Sequence, residues 1–244
     1  MSNALWRDSY VAELAAKTSQ PGDCFGLIVV CSWPMPRLVH ERYVQFAAQL
    51  SQVLPEEAYI LPVETLHITV ATLRSFHGPP RAVGAQELYR MTWTPILDAA
   101  QARPGWPAGK FRMKMLTPTF EGPAAIFRYA DLDGAIEAMR KCIIEAISDA
   151  GGAVAIGGDR RNGRQPPGGA ADDPPPHVPN IVHSTVLRWA AEPVDREAAR
   201  AAFAEAADAW QPLELHVQGA RAVVEDVPYM HTPEVDARIW WESV

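Results

Sequence analysis

Two short triplets carry the chemistry that this sequence can be read for: His67-Ile68-Thr69 and His183-Ser184-Thr185. Each sits in an apolar, β-branched run that reads as a strand, 66–73 for the first and 181–189 for the second. Side chains alternate along a strand, so residues two apart share a face. His67 then lies beside Thr69, and His183 beside Thr185. Leu66, Ile68 and Val70 turn to a core, as do Val182 and Val186. An imidazole titrates near pH ~6.5, so one of a facing pair can be neutral while the other is charged. The neutral ring removes a proton from water or a hydroxyl, and the charged ring protonates the leaving oxygen. The threonine hydroxyls suit the non-bridging oxygens of a phosphate held between the rings. Which histidine is acid and which is base stays open at this level.

The elements that must position these groups follow from pattern and punctuation. A strand is expected at Cys24–Trp33, stopped by Pro34 and Pro36, and a helix at Arg37–Leu54, stopped by Pro55. After the first histidine strand, Gly78, Pro79 and Pro80 mark a loop, and Gln86–Ala102 reads as a helix kinked at Pro95. Strands at Lys110–Thr117 and Ala124–Ala130 flank a turn at Gly122-Pro123. Asp131 or Asp133 can cap a helix that runs to Ala150. Residues 151–180 hold 7 glycines and 6 prolines, which predicts a long flexible loop. Beyond the second histidine strand come a helix from about Val194 to Trp210, strands in LELHV and ARAVVEDV, and a last strand at IWW.

The order strand, helix, histidine strand, helix, two strands occurs twice. It reads as an internal duplication of roughly a hundred residues per copy. The expected architecture is α/β of the α+β type: a bilobal duplicated fold with two mainly antiparallel sheets, flanked by helices, around a central cleft. Residues 1–23 are expected to be an N-terminal arm or helix, and 24–244 a single bilobal domain.

With these residues in view, the chain resembles the 2H phosphoesterases. HITV and HSTV match that family's paired HxT signature, and the order and spacing of elements agree from about Cys24 onward. The resemblance implies a bilobal fold with His67, Thr69, His183 and Thr185 in one cleft. It implies activity on 2′,3′-cyclic phosphates or 2′,5′-linked oligonucleotides, as in cyclic phosphodiesterases and bacterial RNA 2′,5′-ligase-like proteins. The function expected is metal-independent hydrolysis of a cyclic phosphate or an RNA-end phosphodiester, with no cofactor. The alternatives are an RNA exonuclease or ligase of the same fold, a metal-dependent hydrolase, and a non-catalytic nucleotide-binding module.

Other residues are weaker candidates for substrate contact. Trp33 could stack a base at the cleft mouth, with core packing the equal alternative. Phe76 and Tyr229 fall in predicted loops and could do the same. Strict alternation turns Arg74 away from His67 and Arg188 away from His183, so each reads as a surface or salt-bridge residue unless a bulge re-aims it. Arg160, Arg161 and Arg164 could steer an anion, although a solvated loop explains them as well. His40, His77, His177, His216 and His231 show no metal-ligand spacing and read as solvated or structural.

Composition sets outer bounds. The formal net charge of −7 argues against wrapping extended double-stranded nucleic acid, while leaving room for a small nucleotide or an RNA end. Cys24, Cys31 and Cys142 form neither a CxxC nor a disulfide framework and fit a reducing cytoplasm. No apolar run reaches the ~18 residues of a membrane span, and the first twenty residues lack the apolar stretch of a secretion signal. A cytoplasmic monomer is the expectation.

Overall fold

The computed structural model describes residues 6–78, 85–157, 163–167, 172–231 and 238–243. In chain order it begins with α1 (Ser9–Ala15), β1 (Gly26–Cys31), α2 (Arg37–Val53), β2 (Ala58–Ile60) and β3 (Ile68–Arg74). Next come α3 (Ala85–Gln101), β4 (Lys110–Met115), β5 (Thr119–Glu121), β6 (Ala124–Asp131) and α4 (Ala135–Asp149). Then follow β7 (Ala155–Ile156), β8 (His177–Val178), β9 (His183–Trp189), α5 (Arg196–Asp208), β10 (Leu213–Gln218), β11 (Arg221–Glu225) and β12 (Ile239–Glu242).

The strands form two sheets, one ordered β12-β11-β1-β3-β8-β7 and the other β10-β4-β6-β9-β2. All pairings are antiparallel except β7 with β8. The mixed, bilobal architecture is the one expected. The two copies of the repeat, however, do not each build one lobe. The first sheet joins β1 and β3 of the first copy to β11 and β12 of the second, and the second sheet joins β6 and β9 to β4 and β2 of the first copy. Helices cross over too. Phe46 of α2 packs on Phe127 of β6 and on Phe203 of α5, over the second sheet. Tyr89 of α3 packs on Phe25 beside β1, while Arg140 of α4 reaches the backbone of β3.

Local sequence explains the element ends. Asp131 accepts hydrogen bonds from Ala135 and Ile136 at the start of α4, the cap that its position offered. Asp133 is diverted to Arg112. Gly134 stands at the N-cap with a φ of 69°, a backbone state open to glycine. In β4 the burial alternates strictly, with Phe111, Met113 and Met115 inward and Lys110, Arg112 and Lys114 in solvent.

Two segments were read with little structure of their own. Residues 151–180 were expected to form one flexible loop, yet their described parts are tied to the first sheet. β8 pairs with β3, β7 pairs with β8, and Asp173 is buried in an ion pair with Arg74 at 2.7 Å. Chain-breaking residues here serve an irregular but packed path. Arg160 and Arg161 lie outside the described residues, as do Pro79 and Pro80. Arg164 donates to the Gly151 carbonyl at 3.0 Å. Residues 1–23, expected as an arm or a helix, carry α1, and the segment before it is packed on the second sheet. Trp6 is buried against Trp189 and Phe120, and Arg7 bridges to Trp189. Among the described residues, no helix is long and apolar enough to cross a membrane.

Candidate active site

The two sheets meet at their histidine strands. His67 stands one residue before β3, and His183 is the first residue of β9. Ser184 donates from its hydroxyl to the His67 backbone carbonyl at 2.5 Å, and the Tyr129 hydroxyl lies 3.0 Å from the same serine oxygen. The side chain between His183 and Thr185 is thus a fastener to the other motif. A second fastener comes from α4. The buried Arg140 donates to the carbonyls of Thr69 and Ile181 at 3.0 Å each, and to Val70 at 3.1 Å. One guanidinium spans both strands, a task suited to its fixed fork of donors.

His67, Thr69, His183 and Thr185 line a single cavity of about 210 Å³. His67 Nδ1 lies 2.8 Å from the Thr65 carbonyl. A carbonyl can only accept, so Nδ1 carries the proton and Nε2 keeps its lone pair. His183 Nδ1 faces the carbonyl of Ile181, also two residues upstream, without closing a bond of normal geometry. Each ring thus turns its Nδ1 toward the carbonyl two residues upstream, and only that of His67 closes the bond.

Both imidazoles titrate below their ordinary value. Burial drives His67 down to about 4; the Thr65 carbonyl opposes the shift and the nearby His183 adds to it. Burial also lowers His183, with the Ile181 carbonyl opposing and Arg140, Arg188 and Arg128 adding. Both rings are neutral near neutral pH in the unliganded cleft. A bound phosphate reverses the logic, since an anion beside a histidine favours its charged form.

Bulges decide which further residues face the cavity. Ile126 pairs with Thr185 but Ala125 pairs with Leu187, so Val186 is an extra residue in β9. One extra residue turns everything beyond it to the other face. Arg188, which strict alternation directs away from His183, is thereby brought into the cavity wall. Its guanidinium lies 4.7 Å over the Tyr229 ring and 3.5 Å from Asp8, and Tyr229 also donates to Asp8. In β3 two residues are extra, Val70 and Leu73. Thr72 and Ser75 consequently line the cavity in line with His67 and Thr69. Arg74 stays on the far face, fully buried between Asp173 and the Phe25 carbonyl, where it fastens the 172–178 segment to the sheet. It does not reach the cleft, and its candidacy for substrate contact is withdrawn.

Trp33 takes the core-packing alternative. Its indole N–H donates to the Glu64 carbonyl at 2.8 Å, and its buried ring packs with Ile28, Val30 and Met230. Phe76 and Tyr229 do line the cavity, edge to face with centroids 5.1 Å apart. His77 and His177, read as solvated or structural, line it too, and His177 pairs in register with Thr72.

Sequence reasoning missed several wall and support residues. Ser184 had a signal, since a hydroxyl at an inward strand position requires a partner. Glu225 had none. It is 4 % exposed, lines the cavity, and accepts from the Met230 backbone N–H at 3.2 Å. Burial pushes its carboxyl up to about 8. Tyr229 and Met230 both have positive φ, 58° and 61°. That backbone turns the N–H groups of both residues to the Glu225 carboxyl, which opposes the effect of burial. Among the described residues, no group of three or more histidine, cysteine or acidic side chains is arranged to hold a metal ion.

No family model matches the sequence, and no curated protein matches it. Among solved structures, the chain is similar to the crystal structure of TT0787 of Thermus thermophilus. The two share 16 % identity over 81 % of this chain and 87 % of that one, with a TM-score of 0.48. A likeness this slight carries no functional weight, and the site itself must carry the functional reading.

Proposed function

We propose that this chain is a phosphoesterase of the 2H type. It acts on a cyclic phosphate or an RNA-end phosphodiester with His67 and His183 as paired base and acid. One observation carries the reading: two imidazoles from distant parts of the chain line one cavity, each with a threonine hydroxyl two residues on. A coincidence of placement does not explain why Ser184 and Arg140 fasten the two motifs to one another.

In this reading the phosphate sits between the rings. The threonines hold its non-bridging oxygens, and Arg188 supplies the cationic wall. Binding raises the affinity of both rings for a proton, and one captures it while the other stays neutral. The neutral Nε2 takes the proton of the attacking water or hydroxyl. The charged ring delivers its proton to the leaving oxygen, and the two rings exchange states over the cycle. Phe76 and Tyr229 form the part of the wall beside which a base would lie.

Turnover of 2′,3′-cyclic nucleotides and of 2′,5′- and 3′,5′-linked dinucleotides tests the reading. His67→Ala and His183→Ala should each lower kcat by about 10²- to 10⁴-fold with the fold intact. Product analysis separates hydrolysis from ligation or stepwise exonuclease action. Tight nucleotide binding with no turnover, unchanged by His67→Ala, would replace the enzyme with a binding module. Activity lost in chelator and restored by added metal would replace the paired-histidine mechanism.

A further inference from the structure

The faces that continue from the two histidines differ in character. On the first sheet, Thr69 pairs with Val30, and the face runs on through Ile28 and Val223. With Trp33 and Met230 these residues form a buried apolar cluster under the turn Pro228–Met230. That side of the cleft is closed.

On the second sheet the face is open. Arg128 of β6 pairs directly opposite His183, and residues opposite one another on paired strands share a face. The register carries on across the sheet. Ala130 stands opposite Lys114, and Lys114, Arg112 and Lys110 stand opposite Glu214, His216 and Gln218 of β10. Arg128, Lys114, Arg112 and Lys110 are all exposed. Strands lie about 4.8 Å apart, so these cations form a row leading off from His183 across two neighbouring strands.

Three carboxylates lie on or beside this face. Arg128 pairs with Glu121 and Arg112 with Asp133, each at 2.8 Å, and Glu214 stands across from Lys114. Both ion pairs are well exposed, with side-chain exposures of 34–51 %. Such pairs contribute little, and a phosphate can take over the guanidinium. Among the described residues, no ion pair engages Lys110 or Lys114. The balance suits a short anionic strand and not a long duplex, in keeping with the net charge of −7.

We propose that this row holds the sugar–phosphate backbone of a single-stranded RNA whose reacting end lies between His67 and His183. The substrate is then an oligonucleotide rather than a free nucleotide. The proposal rests on the phosphoesterase reading for the reacting end, and on the register of β6, β4 and β10 for the path. A 2′,3′-cyclic phosphate end is built on the 2′-oxygen, which selects RNA over DNA.

The Lys110→Ala/Lys114→Ala double variant tests it, with turnover measured on a 2′,3′-cyclic-phosphate-ended oligoribonucleotide and on the matching cyclic mononucleotide. The expected result is about a 10-fold fall in kcat/KM for the oligonucleotide, with the mononucleotide changed less than about twofold. The salt dependence should flatten by about 0.7 in log–log slope per lysine removed. Equal losses on both substrates, or no loss on either, would overturn the proposal. If the unmodified protein turns over neither, the phosphoesterase reading fails and binding decides the path. Fluorescence anisotropy with a labelled oligoribonucleotide should then still show about 10-fold weaker binding on adding the two lysine changes to His67→Ala/His183→Ala protein. Binding that ignores the lysines, or inorganic polyphosphate competing as well as the RNA, would sink it.

Discussion

At the scale of single residues, two buried groups in the cleft titrate far from their ordinary values and in opposite senses for stability. His67 falls from 6.5 to about 4. Between those values the unfolded chain binds more protons than the folded one, so stability is lost as pH drops through that window. His183 and His231 are lowered too and act in the same sense. Glu225 rises from 4.5 to about 8. There the folded chain binds more protons, so stability is lost as pH climbs from 4.5 to 8. Between about pH 4.5 and 6.5 Glu225 opposes the three histidines without cancelling them, and above that range it acts alone. Denaturant unfolding against pH should therefore show stability rising to about pH 6.5 and then declining toward pH 8. Glu225→Gln should remove that decline and leave stability rising with pH up to about 6.5. An unchanged decline in the variant would show that another group causes it. For activity, the low histidine values put the acid limb of the kcat/KM profile below pH 6.5, since that profile reports the free enzyme.

At the scale of elements, the fasteners between β3 and β9 set how well the two imidazoles are aligned. Ser184→Ala leaves the Tyr129 hydroxyl and the His67 carbonyl without their shared partner, which should cost about 1–3 kcal/mol in denaturant unfolding. The same change should lower kcat more than it raises KM, because it moves a catalytic ring and touches no substrate. Arg140→Met keeps the length but removes donors to three carbonyls, and it should cost more than Ser184→Ala. A pair of variants with full activity and reduced stability would make both residues plain struts. The elements also show what the sequence made legible. β1, β3, β6, β9 and all the longer helices were readable, because apolar period and chain breakers mark them locally. The pairing of His67 with Thr69, and of His183 with Thr185, followed from the two-residue period alone. Arg188 was misdirected because one extra residue, Val186, inverts that period, and a bulge is set by the partner strand. β7 and β8 were invisible, being two residues each within a segment dense in proline and glycine. Glu225, His77 and His177 enter the wall only through tertiary register, which no local pattern records.

At the scale of the whole molecule, duplication and lobes are different divisions of the same chain. Each sheet needs strands from both copies, and each is covered by helices from both: α2 with α5 on one, α3 with α4 on the other. A chain cut in the stretch between β4 and β5 would leave the first copy with β1 and β3 but without β11, and with β4 but without β6. Both fragments would expose sheet edges and the apolar faces of α2 and α4, an arrangement that favours association over independent folding. The intact protein should therefore unfold in one transition, with fluorescence from its tryptophans and far-ultraviolet dichroism coincident. Residues 1–117 and 118–244 made separately should each lack a cooperative transition, and mixing them should restore one together with the cleft. Two resolved transitions in the intact chain, or a fragment that folds alone, would mean that the lobes follow the copies after all. The interleaving also bears on the site. His67 and His183 belong to different copies, and their strands are joined through α4 and Ser184, so folding of the whole and assembly of the histidine pair are one event.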